Sequence, residues 1–354
     1  MTKKRFSTFA VLILASLFLS ACGGGFGASS WPGIMVDAES NTAYLAYNQQ
    51  VYALNATTGQ EQWRFPQEAD TRITFFAAPQ LTGDGQLLVA GYNNVLYSLD
   101  PATGSLNWQF AGNDRFVGSP LSVNGTIYAP NADRNLYALS SQGEMLWSFR
   151  SEEPQWAQPV SNGEEVYVTS MDHFLYALDA EGNPVWKQDL EGTIVGSPAL
   201  SDDGTLFVGS FGSEVLAVNG RNGRIAWRAE TEDWVWGGPS LVGEAVYIAD
   251  LSGQIYAFDA QTGRELWRVD AQSGITGTPL VVDEQIYVGT EDGRLLSLTL
   301  DGSTRWTQTV EGQLYSSPQA AGDLVLVGVV GADAILIAFD NNGNIAWSFI
   351  PATE

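Results

Sequence analysis

Apolar and polar residues alternate with a period of two through nearly the whole chain, in short runs broken by Gly, Asn and Asp pairs. Residues 117–149 show the pattern. Gly118-Ser119-Pro120 opens a first strand, and Asn124-Gly125 is a two-residue hairpin signal, because both residues tolerate positive φ. Residues 126–129 and 135–139 read as second and third strands with alternating apolar positions. Gln142-Gly143 then turns the chain into an outer strand over 144–149. After the N-terminal segment no helical period of useful length appears. The pattern predicts an all-β protein.

The same pattern recurs every 39–45 residues. Trp63, Trp108, Trp147, Trp186, Trp227, Trp267, Trp306 and Trp347 mark eight copies. A second marker runs in phase with the first: Pro32, Pro79, Pro120, Pro159, Pro198, Pro239, Pro279 and Pro318. Four strands in a repeat of this length make one blade of a β-propeller. Eight copies predict an eight-bladed propeller of four-stranded antiparallel blades. Length alone would favour two or three domains; the repeat replaces that expectation with a single ring over 31–354.

The densest motif is Ala53-x-Asn55-x-x-Thr58-Gly59-x-x-x-Trp63, repeated as Ala257-x-Asp259-x-x-Thr262-Gly263-x-x-x-Trp267, with Ser98-x-Asp100-x-x-Thr103-Gly104-x-x-x-Trp108 as a close variant. Ala138, Ala177, Ser297 and Ala338 begin versions one residue shorter. Glycine supplies positive φ in the hairpin, the small residue leaves room for an indole, and the Trp buries a flat face between blades. These residues resemble the quinoprotein-type (PQQ-like) propeller repeat with its tryptophan-docking motif, across about residues 31–350. Each blade can be built from its own repeat, so closure is expected to rest on Trp347 against the first blade, with residues 26–30 left open as an added edge strand.

Quinoprotein dehydrogenases hold their quinone under a vicinal cysteine disulfide and on long inserted loops. This chain has a single cysteine, Cys22, and short regular repeats. No enzyme activity and no cofactor are therefore expected. One histidine, His173, cannot assemble a Ser-His-Asp unit or a histidine metal site by itself. Asp84-Gly85 and Asp202-Asp203-Gly204 look like calcium-loop fragments but sit where hairpin turns want Asp and Gly anyway. No metal site is expected, and no phosphate-cradling loop precedes a helix.

The N-terminus changes the setting. Lys3, Lys4 and Arg5 precede an apolar run over 9–19, too short for a membrane span. The run ends in Leu19-Ser20-Ala21-Cys22, which resembles a bacterial lipobox. Residues 1–21 read as a lipoprotein signal peptide, Cys22 as the lipid anchor, and 22–30 as a Gly-rich tether. Gly23 is not the Asp of inner-membrane retention. The expected location is the periplasmic face of an outer membrane where the cell has one, and the cell surface otherwise.

Charge then narrows the partner. The chain carries 16 Lys+Arg and 40 Asp+Glu, a net −24. The signal holds three cations and no acid, so its removal leaves 13 against 40, or −27, with Lys187 the one lysine. Nucleic acid is disfavoured as a partner. A basic or apolar protein of the cell envelope is favoured.

Turns between second and third strands share a face with the inter-blade connectors. These connectors are acidic at Glu152, Glu153, Asp189, Glu191, Glu230, Glu232, Asp233, Asp270 and Glu311, while Arg72, Arg115, Arg134 and Arg150 cluster in the early blades. On this connector face the third residue before each marker proline should reach the channel mouth. In blades two to eight it is Phe76, Val117, Trp156, Val195, Trp236, Thr276 and Tyr315, with aromatics on alternate blades. Trp234 adds a ring on a connector. Phe76, Trp156, Trp234, Trp236 and Tyr315 are the candidate partner-binding residues; the alternative is that large rings plug a wide channel.

A lipidated propeller with this repeat and few insertions resembles the BamB-like lipoproteins of the outer-membrane β-barrel assembly machinery. The resemblance implies a scaffold that binds periplasmic domains of the barrel-forming subunit. A generic surface lipoprotein binding protein or carbohydrate is the alternative, and a PQQ-dependent dehydrogenase stands third.

Overall fold

The computed structural model describes residues 30–352, and every copy of the repeat forms its own sheet there. The eight sheets are four-stranded and antiparallel, and strand order within each follows chain order. Together they make an eight-bladed β-propeller. In the third blade the strands are Leu121–Val123, Thr126–Pro130, Asn135–Ser140 and Met145–Arg150, close to those expected from the alternation. Asn124 and Gly125 between the first two have φ of 52° and 79°, the positive pair that a two-residue hairpin demands.

The tryptophan motif works as a joint between blades. Across the third and outer strands Ala53 faces Trp63, Ser98 faces Trp108, and Ser297 faces Trp306, so a small side chain always lies opposite the indole. The indole then reaches over to the next blade. Trp63 Nε1 donates to the Pro101 carbonyl at 3.0 Å and Trp227 Nε1 to that of Ala260 at 2.9 Å. Gly104 sits beneath the Trp63 ring with φ of 70°, and a methyl group there would lie 2.5 Å from Cε3. Backbone hand and space both require glycine at this point. On the other side of the indole a second-strand ring packs from the same blade, as Tyr44 does at 5.9 Å from Trp63.

The core consequently lies between blades rather than at one centre. Second strands are buried on both faces, and the period of two sends neighbours to opposite interfaces. Ala43 and Leu45 pack with Leu326 and Leu336 of the last blade, whereas Tyr44 and Ala46 pack with Phe75, Leu87 and Val89 of the second.

Closure uses side chains and no shared strand. The first blade runs from Gly33–Asp37 to Glu61–Phe65, and the last from Gln319–Ala321 to Ile345–Phe349. Trp347 Nε1 donates to the Ala56 carbonyl at 3.2 Å, with Gly59 beneath its ring. The Ser316 hydroxyl donates to the Pro32 carbonyl across the same seam. Ser30 belongs to no strand. It exchanges hydrogen bonds with Asn48, its N–H donating to Oδ1 at 2.7 Å and the Asn48 N–H to its hydroxyl at 2.5 Å. Residues 26–29, Cys22 and the signal over 1–21 lie outside the described residues.

Candidate functional site

Inner strands start at the marker prolines and crowd together around the axis. A methyl group on Gly118 would lie 2.3 Å from the Trp156 carbonyl oxygen, so small residues here are a packing necessity. Hydroxyls stitch adjacent inner strands. Ser119 donates to the Ala78 carbonyl at 2.9 Å, Thr278 Oγ1 accepts from the Gly238 N–H at 2.9 Å, and Thr276 donates to the Tyr315 carbonyl at 2.7 Å. The belt encloses a cavity of about 560 Å³ lined by Ser, Thr, Gln, Pro and apolar side chains, without a charged residue.

Rings gather at its mouth on the connector face. Trp31 stacks on Tyr315 with centroids 5.1 Å apart and meets Trp236 at 5.6 Å. Trp236 touches Phe211 at 5.4 Å, and Phe211 stacks on Trp234 at 5.0 Å and 11°. Five rings from blades five, six, eight and one thus form one unbroken chain. Phe76 stands across the mouth, 4.7 Å from Tyr92, over which the Arg115 guanidinium lies at 4.6 Å. Of the candidate residues, Phe76, Trp236 and Tyr315 line the cavity and Trp234 joins the chain as a half-buried ring. Trp156 stands apart, and its Nε1 is buried without an acceptor among the described residues.

Three members of the chain lie off the position three before the marker proline: Trp234, named separately as a connector ring, and Trp31 and Phe211, which the sequence reading missed. Trp31 immediately precedes its proline and reaches the mouth from the first blade. Phe211 sits on the turn between second and third strands, a position whose spacing from the marker varies. The turn position itself is the signal. Tyr92, Phe211 and Glu291 each donate a backbone N–H to the preceding connector, to Thr74, Thr193 and Gly274 at 2.8–2.9 Å.

Acidic and basic residues around the mouth are largely spoken for. Arg72 pairs with Asp70 at 2.7 Å, Arg115 with Asp114 at 3.4 Å, and Arg134 with Glu153 at 3.9 Å; Arg150 donates to the Asp133 carbonyl at 3.3 Å. Buried acids on the turns tie down connectors. Asp250 accepts from Tyr256 Oη at 2.9 Å and from the N–H groups of Glu232 and Asp233 at 3.1 Å. Asp172 accepts from Tyr176 at 2.7 Å, and Asp133 from Tyr137.

These phenols give the fold an alkaline limit. Burial, reinforced by the Asp133 carboxylate, pushes Tyr137 up to about 12 from 10.0, and Tyr176 and Tyr256 are raised for the same reasons. A folded pKa above the unfolded one contributes stability that is complete below the unfolded value and lost as pH rises through the folded value. Unfolding midpoints should therefore hold steady up to about pH 10 and fall between about 10 and 12. Near-ultraviolet phenolate absorbance, followed beside urea unfolding, should show late-titrating tyrosines ionising together with loss of structure.

His173 is an exposed turn residue with φ of 77°. Asp84 and Asp203 sit in hairpin turns and accept from the hydroxyls of Thr82 and Ser201, each at 2.5 Å. Among the described residues no three His, Cys, Asp or Glu side chains group to hold a metal ion. The channel also does not suit a pyrroloquinoline quinone. That cofactor bears several carboxylates, and the lining offers no cation to meet them.

A family model described as outer membrane protein assembly factor BamB matches residues 47–160, 141–235, 212–303 and 298–353. The fold is similar to the crystal structure of BamB from Moraxella catarrhalis, at 18% identity and a TM-score of 0.71 over 84% of this chain and 92% of that one. It is also similar to the crystal structure of the computationally designed Ika8 protein, at 13% identity and a TM-score of 0.75 over 89% and 97%. No curated protein sequence matches the chain.

Proposed function

The chain belongs to the outer membrane protein assembly factor BamB family, and from that premise we propose that it is a non-enzymatic scaffold of the cell envelope. It is anchored through Cys22 and docks a protein partner, the periplasmic part of a barrel-forming subunit, on its connector face. The observation that carries the reading is the aromatic chain Trp234, Phe211, Trp236, Trp31 and Tyr315, with Phe76 opposite. Aromatic clusters on an accessible face supply apolar area at low entropic cost, the usual make-up of an interface hot spot.

Anchoring and docking share one side in this reading. Ser30 is pinned to Asn48 on the second turn of the first blade, so the tether leaves from the connector face. From Cys22 to Ser30 a fully extended chain spans at most about 29 Å. The mouth would thus be held close to the membrane that carries the lipid.

Replacing Phe76, Trp156, Trp236 and Tyr315 together by Ala tests the docking face. Crosslinking and affinity capture from the native envelope should recover at least about tenfold less barrel-forming subunit, which is roughly 1.4 kcal/mol of lost affinity. Circular dichroism should stay unchanged. Equal recovery by the folded variant would sink the reading.

A further inference from the structure

Consecutive blades are joined by connectors, and the joint between the last blade and the first has none. At each connected joint the fourth residue before the marker proline drops between the blades. From Phe75 in the second blade to Leu314 in the eighth, that residue is at most 1% exposed. The residue before it offers its backbone carbonyl to the next turn, as Thr193 does to the Phe211 N–H at 2.9 Å. The first blade has only Ala28 at the buried offset. Its matching turn N–H, that of Asn48, is met by the Ser30 hydroxyl.

On the connector face this joint holds a cavity of about 410 Å³ between the turns of the two blades. Tyr47, Gln49 and Tyr52 form one wall, and Ala332, Ile335 and Ile350 form the other. Its base is closed by Pro32, which a methyl group on Gly328 would meet at 2.5 Å, much as one on Gly289 would meet Leu314 at 2.9 Å. Two phenol rings and two isoleucines make the walls apolar, and Ile350 is 59% exposed.

The chain arrives at the wall of this cavity. Ser30 is fully buried and is bonded in both directions to Asn48, a lining residue. Upstream, residues 22–29 read Cys-Gly-Gly-Gly-Phe-Gly-Ala-Ser, in which Phe26 is the one large apolar side chain. Four residues separate Phe26 from Ser30, a reach of at most about 14 Å.

We propose that Phe26 seats its ring in this cavity, so that the tether serves as the connector that the closing joint lacks. The ring would pack on Tyr47 and Tyr52 and cover Ile350 from water, a gain in buried apolar surface. The glycines on either side of Phe26 let the backbone pass close between the two turns. A short linker to Ser30 keeps the ring at an effective concentration in the millimolar range, so a weak intrinsic affinity suffices. The opposite end of the chain, Thr353 and Glu354, has no apolar side chain to compete. Seating shortens the free tether from Cys22–Ser30 to Cys22–Phe26, and its reach from about 29 Å to about 14 Å. That shortening rests on the reading of Cys22 as the anchor; the seat itself does not.

The test follows hydrogen exchange in the purified full chain. Amides in residues 47–52 and 335–337 should exchange at least about fivefold faster in Phe26→Ala, and Phe26→Leu should restore most of the protection. Ile350→Asp should give the same loss with Phe26 in place. Photo-crosslinks from p-benzoylphenylalanine introduced at position 26 should fall on residues 47–52 or 350–352. Equal exchange in Phe26→Ala and the parent chain overturns the seat, as do crosslinks scattered over other blades or captured by a second envelope protein. Incorporation of an alkyne fatty acid, abolished by Cys22→Ser, tests the anchor separately. Its absence removes the shortened tether and leaves the seat standing, whereas failure of the seat with the fatty acid present leaves the anchor standing.

Discussion

Trp63→Ala is expected to destabilise the protein by about 3–5 kcal/mol, the range for deleting a buried aromatic side chain. Trp63 is 7% exposed, lies between Gly104 and Tyr44, and donates to the Pro101 carbonyl. Its loss opens a flat void between the first two blades, and rigid sheets cannot collapse into a slot of that shape without breaking the register on either side. The carbonyl loses a partner as well. Urea unfolding followed by circular dichroism measures the effect. A shift under about 1 kcal/mol would show that the indole does not join the blades.

Trp347→Ala should cost a similar amount but distribute it differently. At every other joint a connector holds the two neighbours together when the indole is gone. At the seam between last and first blades only side chains do so: Trp347 on Gly59 and Ala56, Ser316 on Pro32, and the cluster of Ile34, Leu45, Leu54, Leu326 and Leu336. Without a covalent tether, separated blades re-meet at a lower effective concentration. Hydrogen exchange should therefore lose protection selectively in residues 33–65 and 319–349, at denaturant concentrations where the third to sixth blades stay protected. Uniform loss around the ring would contradict a weak seam.

The architecture was legible because its requirements are local. Gly104 beneath Trp63 and Ser98 opposite Trp108 are needs set within a few residues or by a strictly repeated offset. The same holds for Phe76, Trp236 and Tyr315, whose place at the mouth is fixed by distance to a proline. Trp31 and Phe211 escaped because their rings reach across blades from positions outside that offset. The acids needed packing as well: in sequence Asp250 and Asp172 are two among forty, and only the fold shows them used up by tyrosines and backbone amides. Likewise the early-blade arginines read as an uneven charge, and their partners Asp70, Asp114 and Glu153 became visible only in three dimensions.

Because every blade is a contiguous stretch of chain, the ring has no privileged starting point. A closure that laced the first and last segments into one sheet would bind the chain ends to a single blade. Here a copy can be duplicated, lost or moved in the gene without rethreading any strand, provided its Trp finds a glycine next door. The order of the blades is thus free to drift, and selection for a particular order acts on the mouth, where Trp31 of the first blade must meet both Trp236 and Tyr315.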